Sequence, residues 1–557
     1  MPLNLRLQLA FMKKIGPLFL FCIFFICSCS QPSSTTALQH PKLIVGIVVD
    51  QMRWDFLYRY YDRYGNGGFK RLLNDGFSCE NAMINYIPSF TAVGHSTIFT
   101  GSVPAIDGIA GNDWTDQLTG KHFYCTDDSS VQSVGASGAA DGRMSPRNLL
   151  VSTITDELRL ATNFQSKVIG VSLKDRAAIL PAGHTANAAF WFDDSTARFI
   201  SSTYYMKQLP DWVVKFNNKN RVRQFIENGW NTLYPVTSYK ESDSDNVPYE
   251  GKFPGETSPT FPHNLKSIYS RSKSSFRTTP FGNTLTLEFA KEALDNYQLG
   301  RGPVTDFLTI NIASTDYVGH QFGPNSVEIE DTYLRLDKDL ADFFSTLDAK
   351  VGRGQYLVFL TADHGVAHGI GFMQSHQLPA DFWYSGRVSD TLNKILSARF
   401  HIPALVRSVS NYQVNFDLNK IADKNLDFTA IKNTTVDFLQ QQPGILYAAD
   451  MAFIGRYPIP KRLQEMMING YYFKRSGQVQ IILNPGWLDA YSKTGSTHGS
   501  WNPYDTHIPL VWYGWNIQHG KSNREIYMTD ISATLAALLH IQMPSGCIGH
   551  VIEEITK

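Results

Sequence analysis

The chain has 557 residues, 43% of them hydrophobic, with 50 basic and 50 acidic side chains and a formal net charge of zero. It can bury large cores, and no basic stripe or block marks it for nucleic acid. Beyond residue 29 only Cys79, Cys125 and Cys547 remain. These are too few for a disulfide scaffold, although one bridge among them stays open in an oxidising compartment.

Residues 1–29 read as an export signal. Lys13 and Lys14 precede an apolar run over 15–26, which is shorter than the about 20 residues of a membrane span. The run ends in Ile26-Cys27-Ser28-Cys29, followed by a polar stretch rich in Ser and Thr. This pattern resembles a bacterial lipoprotein signal, with Cys29 as the lipidated first residue and 30–41 as a tether. The alternative is ordinary cleavage nearby without lipid. Either way the expectation is an exported, periplasmic protein.

From residue 42 the chain alternates strands and helices. Leu43–Val49 is a near-continuous apolar run, as in a strand buried on both faces, and Asp50 closes it. Further strands are expected over 167–173, Asp306–Ile312, Tyr356–Thr361 and 508–513. Helices are expected over 54–61, from Pro88 and Ser89 to Gly101, over 285–297, from an N-cap at Ser326 through Leu347, and over Asp530–Leu539. The pattern predicts an α/β fold with a central, mostly parallel sheet flanked by helices. Residues 192–283, aromatic-rich and then dense in Ser, Pro, Asn and Lys, show no sustained period, and 370–490 mix short helices and strands; both read as insertions over the C-terminal edge of the sheet, where open α/β sheets bind ligands. Candidate site residues come from the whole length, so 42–557 is expected to be a single catalytic domain.

Those residues each have an ordinary alternative. Asp50 is a ligand or a helix cap. Asp363-His364-Gly365, after a strand, is a metal clip or a polar turn. Asp316 and His320, four apart, face one side of a helix. His498 sits in a Gly-rich turn. Thr91, at a helix start, faces free N–H groups and the positive end of the dipole, or is a simple cap. Lys174 and Arg176, two apart on an extended chain, would converge on one anion while Asp175 points away. Asn112, in a glycine-flanked turn, supplies an amide donor. His95, His184, His368 and His507 read as solvated or as partners of ligands.

Taken together, Val48 to Arg53, the Thr91 segment, Gly111 to Trp114, Ser172 to Arg176 with Leu180 to Gly183, and Thr361 to Gly365 resemble the alkaline phosphatase superfamily. Within it they are most similar to the PafA-type, phosphate-irrepressible alkaline phosphatases. The resemblance runs from about Lys42 to the C-terminus, with no departure from the pattern. It implies two Zn2+ ions, one held by Asp316, His320 and His498 and the other by Asp50, Asp363 and His364. Thr91 reaches the metals as nucleophile, and Asn112, Lys174 and Arg176 contact phosphoryl oxygens. The activity implied is hydrolysis of small phosphate monoesters through a phosphothreonine, by a monomer.

Two alternatives stand beside it. A nucleotide pyrophosphatase/phosphodiesterase of the same superfamily would share the threonine and the zinc set, but two cations suit a monoester dianion better than a diester. A non-catalytic metal- or phosphate-binding lipoprotein would need no activated hydroxyl. Sulfatases are disfavoured, because the run at Thr91 is Thr-Ala-Val-Gly-His rather than Cys- or Ser-x-Pro-x-Arg.

Overall fold

The computed structural model describes residues 39–136 and 140–556. Cys29 and the signal before it lie outside the described residues. A ten-stranded sheet organises the chain from Pro41 onward. Its strands are β1 (Leu43–Val49), β2 (Phe77–Cys79), β3 (Ser133–Val134), β4 (Val168–Val171), β5 (Ala188–Asp193), β6 (Arg198–Ser202), β7 (Asp306–Ile312), β8 (Tyr356–Thr361), β9 (Leu510–Gly514) and β10 (Gly520–Ser522), in the spatial order β10-β2-β9-β8-β1-β7-β4-β5-β6-β3. The central five, β8 to β5, run parallel, and antiparallel strands flank them on both sides.

The main helices are α1 (Thr91–Thr100), α2 (Asp175–Ala182), α3 (Phe281–Asn296), α4 (Ser314–Phe322), α5 (Val327–Lys350) and α6 (Asp530–Leu539). Every residue of β1, β7 and β8 is buried. Burial of each large aliphatic side chain there contributes about 1.5–3 kcal/mol. Gly46, mid-strand in β1, leaves room for Phe99 of α1 and Phe359 of β8; a Cβ there would lie 2.6 Å from the Phe359 ring. Ser326 caps α5, its hydroxyl accepting from the Ile329 N–H at 3.2 Å.

Several expected boundaries move. The strand expected over 167–173 is four residues long, and the one over 508–513 begins at Leu510, antiparallel to β8. Ile508 pairs instead with Ala82 in a separate three-stranded sheet. The helix at 54–61 shrinks to Phe56–Arg59 followed by a 3-10 turn. The aperiodic stretch 192–283 carries regular elements, and 370–490 holds the expected mixture of short helices and strands. The first contributes β6 to the main sheet and holds helices Asp211–Asn218, Arg221–Asn228 and Leu265–Arg271. The second builds a four-stranded antiparallel sheet (Val406–Ser410, Gln413–Phe416, Val479–Leu483, Ile445–Asp450 in spatial order) around its own apolar core. Cys79, Cys125 and Cys547 are free thiols.

Candidate metal and phosphate site

Adjacent parallel strands bring the acids together. Val48 of β1 lies opposite Asn311 of β7 and Thr361 of β8, so residues just past the three C-terminal ends meet. Asp50 follows β1, Asp316 lies in the first turn of α4 after β7, and Asp363 and His364 follow β8. His320, one turn on from Asp316, places Nε2 3.1 Å from Asp316 Oδ1. His498 enters from the segment before β9, with Nε2 3.7 Å from the same oxygen. His364 Nε2 is 3.4 Å from Asp363 Oδ2 and 3.6 Å from Asp50 Oδ1.

The three imidazoles are held alike. Nδ1 of His364 donates to the Gly365 carbonyl at 3.0 Å, that of His320 to Ser496 at 2.9 Å, and that of His498 to Ser89 at 2.8 Å. This fixes each ring's orientation and turns Nε2 toward the acids, as metal-binding histidines require. Asp50 Oδ1 and Asp363 Oδ2 are buried with no hydrogen-bond partner, a costly state for a carboxylate without a cation. Burial and the neighbouring Asp363 push the Asp50 carboxyl well above its ordinary range. Burial acts on Asp363 too, but His364 and His95 outweigh it and hold that carboxyl low.

Asp50, Asp363 and His364 offer donor atoms all within 4.8 Å of one another, as do Asp316, His364 and His498. His364 thus borders both groups, its ring stacked on that of His498 with centroids 3.5 Å apart. The mixed carboxylate and imidazole donors fit a metal centre.

Thr91 is the first residue of α1 rather than its cap; Phe90 holds the N-cap position and makes no side-chain cap. The Thr91 hydroxyl is therefore not spent on capping, and Oγ1 lies 3.5 Å from His364 Nε2. Asn112 Oδ1 accepts the Ala92 N–H at 2.9 Å. That contact orients the amide and leaves Nδ2 as the donor for a ligand.

The cations are arranged differently from expectation. Lys174 is the N-cap of α2, and Asp175 and Arg176 belong to its first turn. Lys174 and Arg176 are thus not alternate residues of a strand, and the same-side argument fails. Lys174 Nζ is buried between Asp50 Oδ2 (2.8 Å) and Asp316 Oδ2 (2.6 Å). Arg176 Nη1 donates to the Tyr124 hydroxyl at 3.0 Å, and its Nε is buried without a partner. Asp175 accepts from the Tyr124 hydroxyl at 2.6 Å and from that of Thr126 at 3.2 Å. A cavity of about 730 Å³ lies beside this segment and shares Leu173, Asp175 and Tyr317 as wall.

Gln51 lies within the Val48 to Arg53 run but was given no role of its own from the sequence. It adopts φ +64°, donates its side-chain amide to Asp316 Oδ1 at 2.8 Å and its backbone N–H to Asp363 Oδ1 at 3.2 Å, and so ties the two acid groups together. His95 is buried in α1, with Nδ1 donating to Thr91 O at 2.8 Å and lying 3.4 Å from Asp363 Oδ2. His184, His368 and His507 pair with Asp156, with Arg53 and Asn325, and with Glu80 O and the Trp54 ring.

A family model for type I phosphodiesterase / nucleotide pyrophosphatase matches residues 44–507. The chain is 55% identical over 522 residues to alkaline phosphatase PafA of Elizabethkingia meningoseptica, covering 94% of this chain and 95% of that protein. It is 52% identical over 528 residues to alkaline phosphatase PhoV of Synechococcus elongatus, covering 95% of each. A crystal structure of wild-type alkaline phosphatase PafA aligns with a TM-score of 0.92 at 54% identity, over 94% of this chain and all of that one. Identity this high over nearly the full length of both chains places the chain in the type I phosphodiesterase / nucleotide pyrophosphatase family of the alkaline phosphatase superfamily, as a PafA-type alkaline phosphatase.

Proposed function

We propose that this enzyme is a periplasmic, zinc-dependent phosphomonoesterase that transfers the phosphoryl group of small monoesters to Thr91 and then to water. One observation carries the reading: the Thr91 hydroxyl, not spent on capping, lies 3.5 Å from Nε2 of His364, a residue that borders both groups of metal-type donors, and the next residue's N–H orients the Asn112 amide. Asp50, Asp363 and His364 would hold one Zn2+, and Asp316, His320 and His498 the other. Zinc held there supplies positive charge that lowers the pKa of a hydroxyl and stabilises developing negative charge.

The chain's own residues do the rest. Thr91 Oγ attacks phosphorus as the ester oxygen departs with the bonding pair, leaving a phosphothreonine. Water then attacks phosphorus, the Thr91 oxygen takes the electrons back, and inorganic phosphate leaves. Asn112 Nδ2, oriented by the Ala92 N–H on its Oδ1, receives an equatorial oxygen. With Asp50 and Asp316 engaged as metal ligands, the Lys174 ammonium would be released to a phosphoryl oxygen, and the unpartnered Nε of Arg176 would provide a further donor. The transition state is loose, so positioning and charge dominate. The neighbouring cavity gives the organic group room. Export, with Cys29 as a lipid tether, is part of the proposal, and the enzyme acts as a monomer.

The test compares a phosphate monoester with a phosphate diester, with and without added zinc, for wild type and Thr91→Ala. Zinc-dependent monoester preference, lost about 10³-fold or more in the variant, is expected. Diester preference would move the enzyme to the phosphodiesterase reading that the family description favours. Unchanged turnover in Thr91→Ala would reject the nucleophile.

A further inference from the structure

The second insertion reaches the phosphate site through a two-residue turn. Strands Val406–Ser410 and Gln413–Phe416 pair up to Ser410 opposite Gln413, which leaves Asn411 and Tyr412 as the whole connection. Both have left-handed backbones, φ +54° and +58°, as in a type I′ hairpin turn. Asparagine suits the first position, but the second favours glycine. An aromatic residue with positive φ persists only where its surroundings hold it. They do so for Tyr412, which is 7% exposed. Its ring stacks on that of Phe90, the N-cap of α1, with centroids 6.3 Å apart. Its hydroxyl donates to the His498 carbonyl at 3.3 Å, and its own carbonyl accepts the Ile481 N–H at 2.8 Å and the Gln480 amide at 2.9 Å.

So anchored, the tip presents Asn411 to the turn that carries Asn112. Asn411 Nδ2 donates to the Asp113 carbonyl at 2.8 Å. The same amide lies where Gly111 has no side chain: a Cβ there would sit 2.6 Å from Nδ2 and 3.1 Å from Cγ of Asn411. Asn411 thus packs on Gly111 and bonds Asp113, the two neighbours of Asn112. Asn112 is tied to the core by its own groups, its carbonyl accepting the Cys125 N–H at 2.9 Å and its Oδ1 the Ala92 N–H at 2.9 Å. Asn411 adds the hold that comes from the insertion.

We propose that Asn411 is a positioning residue for the phosphate site: its amide, held in place by the Tyr412 anchor, sets the turn from which Asn112 Nδ2 meets a phosphoryl oxygen. The inference rests on the reading of Asn112 as a phosphoryl donor given above. A donor aimed in advance at developing charge stabilises it most, and a misplacement of about 1 Å can cost about 10²-fold in rate. Phosphate recognition by the core then depends on a hairpin that belongs to the insertion.

The experiment is a double-mutant cycle on the zinc-loaded enzyme, read as kcat/KM for a phosphate monoester. Asn411→Gly is made in wild type, in Asn112→Ala and in Lys174→Ala. Glycine keeps the left-handed turn and removes the amide. The expected result is a fall of about tenfold or more in wild type and in Lys174→Ala, but of less than about twofold in Asn112→Ala, because residues that act as a unit are not additive. A merely structural role would lower kcat/KM by the same factor in all three backgrounds, together with Tm. Asn411→Asp, which keeps the shape and loses the donor, enters the same cycle should Asn411→Gly not fold. Unchanged kcat/KM on loss of the Asn411 amide, or an undiminished fall in Asn112→Ala, would overturn the proposal. Wild-type kcat/KM in Asn112→Ala itself would reject the donor role of Asn112 and this proposal with it. A large Asn112→Ala defect to which the Asn411 effect simply adds would reject the positioning role alone.

Discussion

Gly94 and Asp363 touch through their backbones: a Cβ added at Gly94 would sit 2.3 Å from Asp363 O and 2.7 Å from Asp363 Cα. The absent side chain is what lets the helix bearing Thr91 approach the strand end bearing Asp363 and His364. Neither neighbour is a flexible side-chain tip, so the clash has no cheap escape. Gly94→Ala should cost about 1–3 kcal/mol of stability by overpacking. It should also lower kcat for a phosphate monoester by displacing Thr91 from His364. Thermal unfolding and steady-state kinetics check it; a variant with unchanged Tm and kcat would contradict this packing.

Lys174 takes the place of a counter-ion for Asp50 and Asp316. Removing one partner of a buried ion pair costs about 3–5 kcal/mol when nothing replaces it. Lys174→Met should therefore destabilise the chelator-treated protein strongly. It should destabilise zinc-loaded protein much less, because the carboxylates then have other partners. The comparison is of Tm for both proteins in both states, and an equal loss in the two states would count against it.

The same lysine and Arg176 should separate ester classes. With both changed to Ala, monoester kcat/KM should fall about 10²-fold or more beyond the fall for a diester, since a dianion loses more than a monoanion does. Equal losses on the two substrates would remove these cations from the phosphate site.

Asp107 gives a pH signature away from the metals. It is fully buried, Oδ1 accepts the Ile109 N–H at 2.8 Å, Oδ2 has no partner, and burial raises the carboxyl to about 7. A folded-state pKa above the unfolded value of about 3.8 means that stability is lost as pH rises from about 4 through 7. Asp107→Asn removes that titration. Its Tm relative to wild type should therefore climb between pH 4 and pH 8, by an amount on the order of a few kcal/mol in stability, and then level off. A difference independent of pH would show that Asp107 does not titrate in this window.

Much of the site was legible because its donors close strands that are apolar on both faces. β1, β7 and β8 follow their buried runs residue for residue, and Asp50, Asp316 and Asp363 stand just beyond them. Lys174 and Arg176 were recognised as cations but misplaced, because nothing local distinguishes the last extended residue from the cap of α2. Gln51 belongs to the recognised Val48 to Arg53 run, but its bridging role was missed, because it depends on a left-handed backbone that glutamine does not advertise. Over 370–490 the sequence showed mixed short elements but not their assembly into one sheet, because the strands are separated by helices Leu418–Asp423, Phe428–Gln440 and Lys461–Asn469, and Gln413, Asn415 and Gln480 bury amides where apolar residues would have marked a strand.

The donors run from residue 50 to residue 498, and β9, between which and β1 only β8 intervenes, begins at Leu510. A chain interrupted anywhere between these points lacks part of the centre, and a fragment cannot retain partial turnover. Catalysis is therefore a test of completeness: a molecule that hydrolyses substrate has already joined its earliest strand to its latest segments, so activity counts only fully folded chains.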